Sequence, residues 1–181
     1  MTAAVLFPVL ALLLREELFM ALLLLATIVW VAVDLARLLV AALNRWFQRC
    51  LGPLLRNGEE HRMVGASYLL LGTLAAFALF QRDVAVLAVL FLALGDPVAA
   101  VVGMRFRRGR VFGKSPLGSV AMAGMALGVV GILHGVGAIE FRWLFVAGAL
   151  VAAVTEILPL PVNDNITVPL SAGVAMAMLG G

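Results

Sequence analysis

The feature that most constrains this chain is a series of long apolar runs without charged residues. One of them, residues 18–33, reads LFMALLLLATIVWVAV. A membrane span needs about 20 apolar residues, and 64% of the 181 residues are hydrophobic whereas 13% are charged. A soluble domain of this size lacks the interior volume to bury that share of apolar side chains. The composition therefore argues against a soluble globular domain and a disordered chain, and it predicts an integral membrane protein.

Charged breaks divide the chain into apolar segments that we expect to be helices. The strands of a membrane barrel would alternate polar and apolar residues, and residues 21–33 do not alternate. The predicted fold is an all-α polytopic membrane helix bundle of about seven transmembrane helices, in a single domain over residues 1–181. The segments are 3–14, as a short first span or a re-entrant segment, then 18–43, 63–80, 84–104, 116–137, 143–158 and 166–179.

Basic residues are concentrated in two of the connections between these segments. The connection after the second span carries Arg45, Arg49, Arg56 and Arg62. The connection after the fourth carries Arg105, Arg107, Arg108, Arg110 and Lys114. Because the two connections lie two spans apart, they share one side, which the positive-inside rule assigns to the cytoplasm. We therefore expect a protein of the cell membrane with these loops in the cytoplasm, and no nucleic-acid partner.

Small residues recur at four-residue spacing in the fourth and fifth predicted spans. Examples are residues 95, 99 and 103, then glycines at 124 and 128 and at 131 and 135. Such spacing lets helices approach closely in lipid. It predicts helix packing rather than a functional site.

Three carboxylates fall inside predicted spans, at Asp34, Asp96 and Glu156. A charge inside the bilayer is costly, so such residues are candidates for function. Asp34 shares a helix face with Arg37, which suits a structural ion pair equally well. Asp96 has no opposite charge within a helical turn of sequence, which favours a functional role. Glu156 lies near the end of its span and suits either function or a helix-end carboxylate.

By this orientation, the span acids converge with polar loop residues at one membrane face. Those loop residues are Glu59, Glu60, Lys114, Asn163, Asp164 and Asn165. Carboxylates that hold Mg²⁺, beside cations that neutralise phosphates, suit a metal-bound polyphosphate. Residues 113–115 (GKS) end like a P-loop, but Arg108 stands where that motif needs glycine. The prediction is phosphate binding without a P-loop, with topology or headgroup contact as the alternative role of the basic loop.

Several of these residues lie in motifs that resemble a known family, the CTP-dependent lipid-alcohol kinases. The family includes dolichol kinase, phytol kinase and the CTP-using diacylglycerol kinase. Residues 95–103 (GDPVAAVVG) resemble its GDxxAxxxG signature, and residues 113–119 (GKSPLGS) resemble its GKSxEGS or GKTxEGS element. Glu156 with residues 163–170 (NDNITVPL) resembles its E…DDNxxxPL element. Shorter matches lie at 34–37 (DLAR) and within 56–68, and together the matches cover roughly residues 30–171.

The resemblance implies an enzyme that transfers the γ-phosphoryl group of CTP to the hydroxyl of a lipid alcohol. The alcohol would be a polyprenol, a phytol-like alcohol or diacylglycerol, and Mg²⁺ would be the cofactor. Asp96 would be the essential carboxylate, as a metal ligand or as the base for the alcohol, and Lys114 would be a catalytic and nucleotide-binding cation. The other implied nucleotide-binding residues are Gly103, Arg105, Arg107, Arg108, Ser115, Asn163 and Asn165. The implied metal ligands are Asp96, Asp164 and Glu156, and the implied supporting residues are Asp34, Arg37 and Glu60.

The sequence departs from the family pattern in three places. Leu117 stands where the family has a glutamate, and Asn163 replaces the first aspartate of a pair. The Arg-Lys-x-x-His stretch that usually precedes the family's first span has no match here. Two other functions therefore stay open, a small ion- or proton-coupled transporter and a non-catalytic relative of the kinases. The sequence indicates no oligomeric state.

Overall fold

The structure, a computed structural model, describes residues 2–52, 55, 58–106 and 109–180. Within them the chain begins with a 3-10 turn, Thr2–Val5, and continues as α-helices joined by loops. The helices are α1 Leu6–Leu13, α2 Glu16–Leu39, α3 Ala41–Leu51, α4 Gly65–Leu79, α5 Arg82–Arg105, α6 Pro116–Gly135, α7 Trp143–Ile157 and α8 Asp164–Gly180. The predicted all-α membrane bundle is confirmed.

Helix length divides this bundle into long and short members. Among the described residues, α2, α5 and α6 are long and apolar enough to cross a bilayer. Helices α4 and α7 are apolar but contain 15 residues each. Such a helix extends about 22 Å, less than the hydrocarbon thickness of about 30 Å. The segments predicted as spans at 63–80 and 143–158 therefore form helices that are too short to cross the hydrocarbon core by themselves, even when they are perpendicular to the bilayer.

The second predicted span is wrong at its C-terminal end. We expected a helix over 18–43 followed by a polar loop, but α2 ends at Leu39 and α3 begins two residues later. In α3, Phe47 is buried and Arg45 is exposed. Apolar residues at positions 43, 47 and 51 recur at the spacing of an amphipathic helix. A search for uncharged runs does not detect this pattern, because basic residues interrupt it.

Helix α5 occupies the centre of the bundle. Every residue from Val84 to Ala93 is buried, as expected of a helix that is apolar on all sides. Its close partner is α6, where a Cβ added to Gly118 would lie 2.7 Å from the Ala99 carbonyl oxygen. The predicted packing through small residues is therefore present between α5 and the start of α6.

The later glycines of α6 do not make such contacts. A Cβ added to Gly124, Gly128, Gly131 or Gly135 would have no neighbouring atom within 4 Å. The packing predicted for these four glycines is therefore wrong within the described residues. Val120 and Ile132 on the same helix are also exposed, which is expected of a surface that faces lipid.

Helix α1 is held at one end of the bundle by Arg82. The Arg82 Nη2 atom donates to the Leu14 carbonyl oxygen at 3.0 Å and also to the Ala11 carbonyl oxygen. These are carbonyl groups that the end of a helix leaves without a partner. The eight residues of α1 extend about 12 Å, so this helix alone does not span a bilayer.

At the opposite end of the bundle, six of the other described helices each have one terminus. The C-termini of α2, α5 and α7 and the N-termini of α4, α6 and α8 lie there, as contacts between them show. Asp34 of α2 accepts a hydrogen bond from the Val64 N–H just before α4, and Lys114 before α6 pairs with Asp164 of α8. The described parts of the two basic connections therefore share one end of the bundle, as predicted.

Candidate active site

A polar cleft of about 710 Å³ opens at this end of the bundle. The carboxylates of Glu59, Asp96 and Asp164 line it together with the cations Arg62 and Lys114. Residues 158–163 form a further wall. Asp96 and Asp164 are far apart in the sequence and were predicted to lie at one membrane face, and the fold brings both to the same cleft.

Asp96 contributes to the cleft from well inside the bundle. It is half-buried and lies nine residues (105 − 96) before the end of α5 at Arg105, a distance of about 14 Å along the axis. The cleft reaches it because α7 ends at Ile157 and α8 begins at Asp164, with irregular backbone between them. Irregular backbone at membrane depth is tolerated where it lines a cavity or is buried in protein.

Lys114 joins two carboxylates at the cleft. Its Nζ atom lies 2.7 Å from Asp164 Oδ2 and 3.8 Å from Glu156 Oε1, and it also donates to the Glu156 carbonyl oxygen. Ser119 Oγ donates to Glu156 Oε2 at 2.7 Å. Lys114 keeps 30% of its side-chain surface exposed. The ammonium group is therefore held in place by acids and still has surface available to a ligand.

A tight turn positions Lys114. Val111 and Lys114 exchange two backbone hydrogen bonds of 2.9 and 3.0 Å. The two central residues, Phe112 and Gly113, have φ angles of 52° and 83°. Positive φ at both central positions is characteristic of a type I′ turn, which favours glycine at the second of them. Gly113 in the GKS motif therefore serves the turn that carries the lysine.

The first turn of α8 is fixed at the cleft by its own asparagines. Asn163 Oδ1 accepts a hydrogen bond from the Asn165 N–H at 3.0 Å, which is an N-cap interaction. The Asn165 side chain donates to the Gly65 carbonyl oxygen at 2.9 Å, and a Cβ at Gly72 would collide with the Asn165 carbonyl oxygen. The N-terminus of α8, which carries partial positive charge, is thus pinned against α4 beside the cleft.

A buried ion pair holds the segment before α4. Arg37 Nε lies 2.6 Å from Asp34 Oδ1, and the two side chains are 0% and 1% exposed. Arg37 Nη2 donates to the carbonyl oxygens of Glu59 and Arg62 at 3.1 and 2.6 Å. Asp34 Oδ2 accepts from the Val64 N–H at 3.0 Å. This pair therefore fixes the backbone that carries Glu59 and Arg62 into the cleft.

Glu59 is further oriented by the first residue of α4. Its Oε1 atom accepts a hydrogen bond from the Gly65 N–H at 2.8 Å. The same glycine accepts from Asn165 through its carbonyl oxygen. A Cβ at Gly65 would lie 3.3 Å from Glu59 Oε1 and 3.4 Å from Asn165 Nδ2. The backbone N–H and carbonyl groups of Gly65 thus orient two side chains of the cleft.

Besides Asp34, Arg37 and Glu156, four other predicted site residues among the described residues do not line the cleft. Glu60 and Arg105 are exposed and do not line the cleft. Ser115 is buried, and its hydroxyl donates to the Phe106 carbonyl oxygen at 3.5 Å. Gly103 faces Ser115, at 3.3 Å from an added Cβ to the serine Cβ, so its small size serves packing. The predicted residues Arg107 and Arg108 lie outside the described residues.

The three predicted metal ligands do not form a metal site by themselves. In the part of the chain that the structure describes, no group of three or more His, Cys, Asp or Glu residues is arranged to hold a metal ion. Glu156 pairs with Lys114 and Ser119 and does not line the cleft, and its assignment as a metal ligand stays a prediction. Asp96 and Asp164 remain in the cleft. Mg²⁺ is usually bound by one or two carboxylates plus phosphates and water, which this pair fits.

Sequence reasoning missed some residues of the cleft. Glu59 and Glu60 were both expected at this face, and the site role was assigned to Glu60, but Glu59 lines the cleft; Arg62 and Tyr68, which had no predicted site role, also line it. All of them fall within the matched region at 56–68, so the motif marked the segment but not the residue that faces the cleft. Ser119 lies in the motif at 113–119, and its bond to Glu156 follows only from the tertiary fold.

Comparison with known proteins identifies relatives for part of the chain. It is 30% identical over 73 residues to CTP-dependent diacylglycerol kinase 1 of Schizosaccharomyces pombe. The matched region covers 40% of this chain and 34% of that protein. It is 31% identical over 81 residues to the protein of the same name from Saccharomyces cerevisiae, covering 45% and 28%. The match to the Eremothecium gossypii protein is 36% over 70 residues, covering 39% and 22%.

The chain is similar to CTP-dependent diacylglycerol kinases. This confirms the resemblance predicted from the motifs. The matched region spans about a third or less of the length of each of these relatives. No family model matches the chain, and no solved structure matches it.

Proposed function

We propose that this chain acts as a membrane kinase that transfers the γ-phosphoryl group of CTP to the hydroxyl of a lipid alcohol. The observation that carries the proposal is that Asp96, Asp164 and Lys114 line one cleft, in a chain similar to CTP-dependent diacylglycerol kinases. By name, these relatives favour diacylglycerol as the acceptor, and polyprenols and phytol-like alcohols are the other candidates. We propose that the cleft faces the cytoplasm, where CTP is dissolved.

The charges of the cleft support a metal-bound nucleotide. Three carboxylates and two cations line it among the described residues, so a polyphosphate would meet a net negative surface without an additional cation. Asp96 and Asp164 would hold Mg²⁺, which would neutralise phosphate charge when it is bound. Phosphoryl transfer depends mainly on positioning and charge stabilisation, and these fixed side chains can supply both.

The remaining residues take roles that follow from their contacts. Lys114, presented by its tight turn, binds phosphate oxygens. Glu156 positions Lys114, because its carboxylate contacts Lys114 and Ser119 and does not line the cleft. Asn163 and Asn165 fix the N-terminus of α8, whose partial positive charge favours a phosphate. Asp96 serves as a metal ligand or as the base that accepts the proton of the alcohol.

The test is Asp96→Asn in the purified chain, with labelled CTP and a panel of diacylglycerol, a polyprenol and phytol. We expect Asp96→Asn to abolish formation of lipid phosphate and to leave the thermal unfolding temperature near that of the original protein. Asp83→Asn is the matched control, because Asp83 is exposed at the other end of the same helix. It should retain full activity.

Two results would contradict the proposal. One is a near-normal rate of transfer by Asp96→Asn, which would remove Asp96 from the site. The other is an original protein that binds CTP but phosphorylates none of the alcohols, which would indicate a non-catalytic relative. A nucleotide-induced thermal shift measures CTP binding independently of turnover.

A further inference from the structure

A second cavity, of about 280 Å³, lies beside the polar cleft. Its lining is mainly apolar and comes from the first turn of the chain, α2, α3, α4 and the middle of α5. Trp30, Phe47, Leu51, Ala66 and Leu69 are among the lining residues. We call this cavity the apolar pocket. A charged nucleotide would lose its hydration there without compensation, so the lining favours a hydrocarbon chain over a nucleotide.

The apolar pocket adjoins the polar cleft at two side chains. Glu59 and Asn165 line both cavities. Both are hydrogen-bonded to the backbone of Gly65, which lines the apolar pocket between them. A molecule with a hydroxyl next to a hydrocarbon chain can therefore place the hydroxyl at Glu59 and Asn165 and the chain among the apolar residues.

Helix α3 forms the outer wall of the pocket and resembles a helix that lies in the membrane interface. Phe47 and Leu51 line the pocket, while Arg45 is exposed on another face and Trp46 is 56% exposed. Basic and aromatic residues on an amphipathic helix are typical of the headgroup level. The guanidinium of Arg37 lies 4.7 Å from the centre of the Phe47 ring, so one residue holds both this wall and the Glu59 segment.

We propose that the apolar pocket binds the part of the acceptor lipid's hydrocarbon chain that is nearest to its hydroxyl. This inference rests on the proposed function, since it assigns the second substrate to a place beside the same cleft. The volume lies just below the usual range of about 300–1,000 Å³ for small-molecule pockets. The pocket therefore holds a segment of the chain, and the remainder stays in the bilayer.

The first test fills the pocket without touching the polar cleft. Ala66 of α4 lines the pocket and is exposed, and Ala78 of the same helix is also exposed but lies outside it. Ala66→Phe should raise the KM for the lipid alcohol about tenfold, equivalent to displacing roughly two methylene groups. CTP affinity should not change, and Ala78→Phe should leave both constants unchanged. An unchanged lipid KM in Ala66→Phe, or equal effects of the two variants, would overturn the proposal.

A second test does not depend on turnover. Diacylglycerol with a photoreactive diazirine near the ester end of one acyl chain is bound to the purified protein and crosslinked, and the labelled peptides are identified by mass spectrometry. We expect labels in α3 and in the first turns of α4, and their loss in Ala66→Phe but not in Ala78→Phe. Labels confined to other helices would refute the pocket assignment. Labels in the pocket of a protein that transfers no phosphate would uphold the pocket and refute the kinase proposal.

Discussion

Replacement of Arg37 by leucine should destabilise the protein severely and free the segment that carries Glu59. The guanidinium is fully buried and donates to Asp34, to Asn44 and to two backbone carbonyl oxygens. Removing it leaves the Asp34 carboxylate buried with only the Val64 N–H and the Ser67 hydroxyl as partners in the described residues. Breaking one side of a buried ion pair typically costs about 3–5 kcal/mol.

This cost converts into a measurable loss of thermal stability. For a protein of this size, 1 kcal/mol corresponds to a change of about 2–4 °C in Tm, so Arg37→Leu should lower Tm by roughly 6–20 °C in detergent. The matched control is Arg45→Leu, because Arg45 is exposed on the neighbouring helix. Exposed substitutions usually change stability by no more than about 0.5 kcal/mol, so the control should shift Tm by about 2 °C or less.

Local release of the segment can be measured separately from global unfolding. The Arg62 carbonyl oxygen accepts the 2.6 Å hydrogen bond from Arg37, and the Arg62 side chain is exposed to trypsin. Cleavage after Arg62 under native conditions should therefore be faster in Arg37→Leu than in Arg45→Leu. If Arg37→Leu melts within 2 °C of the original protein and resists trypsin equally, the positioning role of this ion pair is refuted.

Two further predictions concern the cleft and the helix packing around it. Lys114→Ala should weaken CTP binding by about 10- to 100-fold, as expected for the loss of a charged hydrogen bond of roughly 1.5–3 kcal/mol. Isothermal titration calorimetry with CTP and Mg²⁺ measures this affinity. An unchanged affinity would show that Lys114 does not bind the phosphates. Gly118→Ala should destabilise the bundle by about 1–3 kcal/mol because its Cβ would meet the Ala99 carbonyl oxygen at 2.7 Å. Gly124→Ala on the same helix should be neutral or slightly stabilising, and equal Tm values for the two variants would contradict the packing argument.

The convergence of the charged residues at one end could be predicted because it depends only on whether the number of predicted spans between them is odd or even. The two basic connections are separated by two spans, and this number places them together whatever the angles between the helices. The cost of a charge in lipid then marked Asp34 and Asp96 as residues that must have partners or a cavity. Both inferences need only the order of segments and the identity of residues, which the sequence contains.

The choice between adjacent residues could not be predicted. Whether Glu59 or Glu60 faces the cleft depends on the path of a non-helical segment, which Arg37 fixes through carbonyl oxygens 22 and 25 residues away in sequence. The same is true of the glycines of α6, since a Cβ at Gly118 would meet the Ala99 carbonyl oxygen of α5 and a Cβ at Gly124 would meet no atom within 4 Å. Spacing identifies a smooth helix face, but only the arrangement of helices decides whether another helix covers it.

Two departures from the family pattern become understandable at the level of single side chains. Asn163 stands where the family has an aspartate, and here its side chain caps α8 through the Asn165 N–H, a task that asparagine and aspartate perform equally well. Leu117 stands where the family has a glutamate, and here it is 50% exposed and does not line the cleft. Neither change removes Asp96, Asp164 or Lys114 from the cleft. We therefore expect Asn163→Asp to leave CTP-dependent lipid phosphorylation within a few-fold of the original rate, and a complete loss of activity would show that the charge at this position, and not its cap, governs the site.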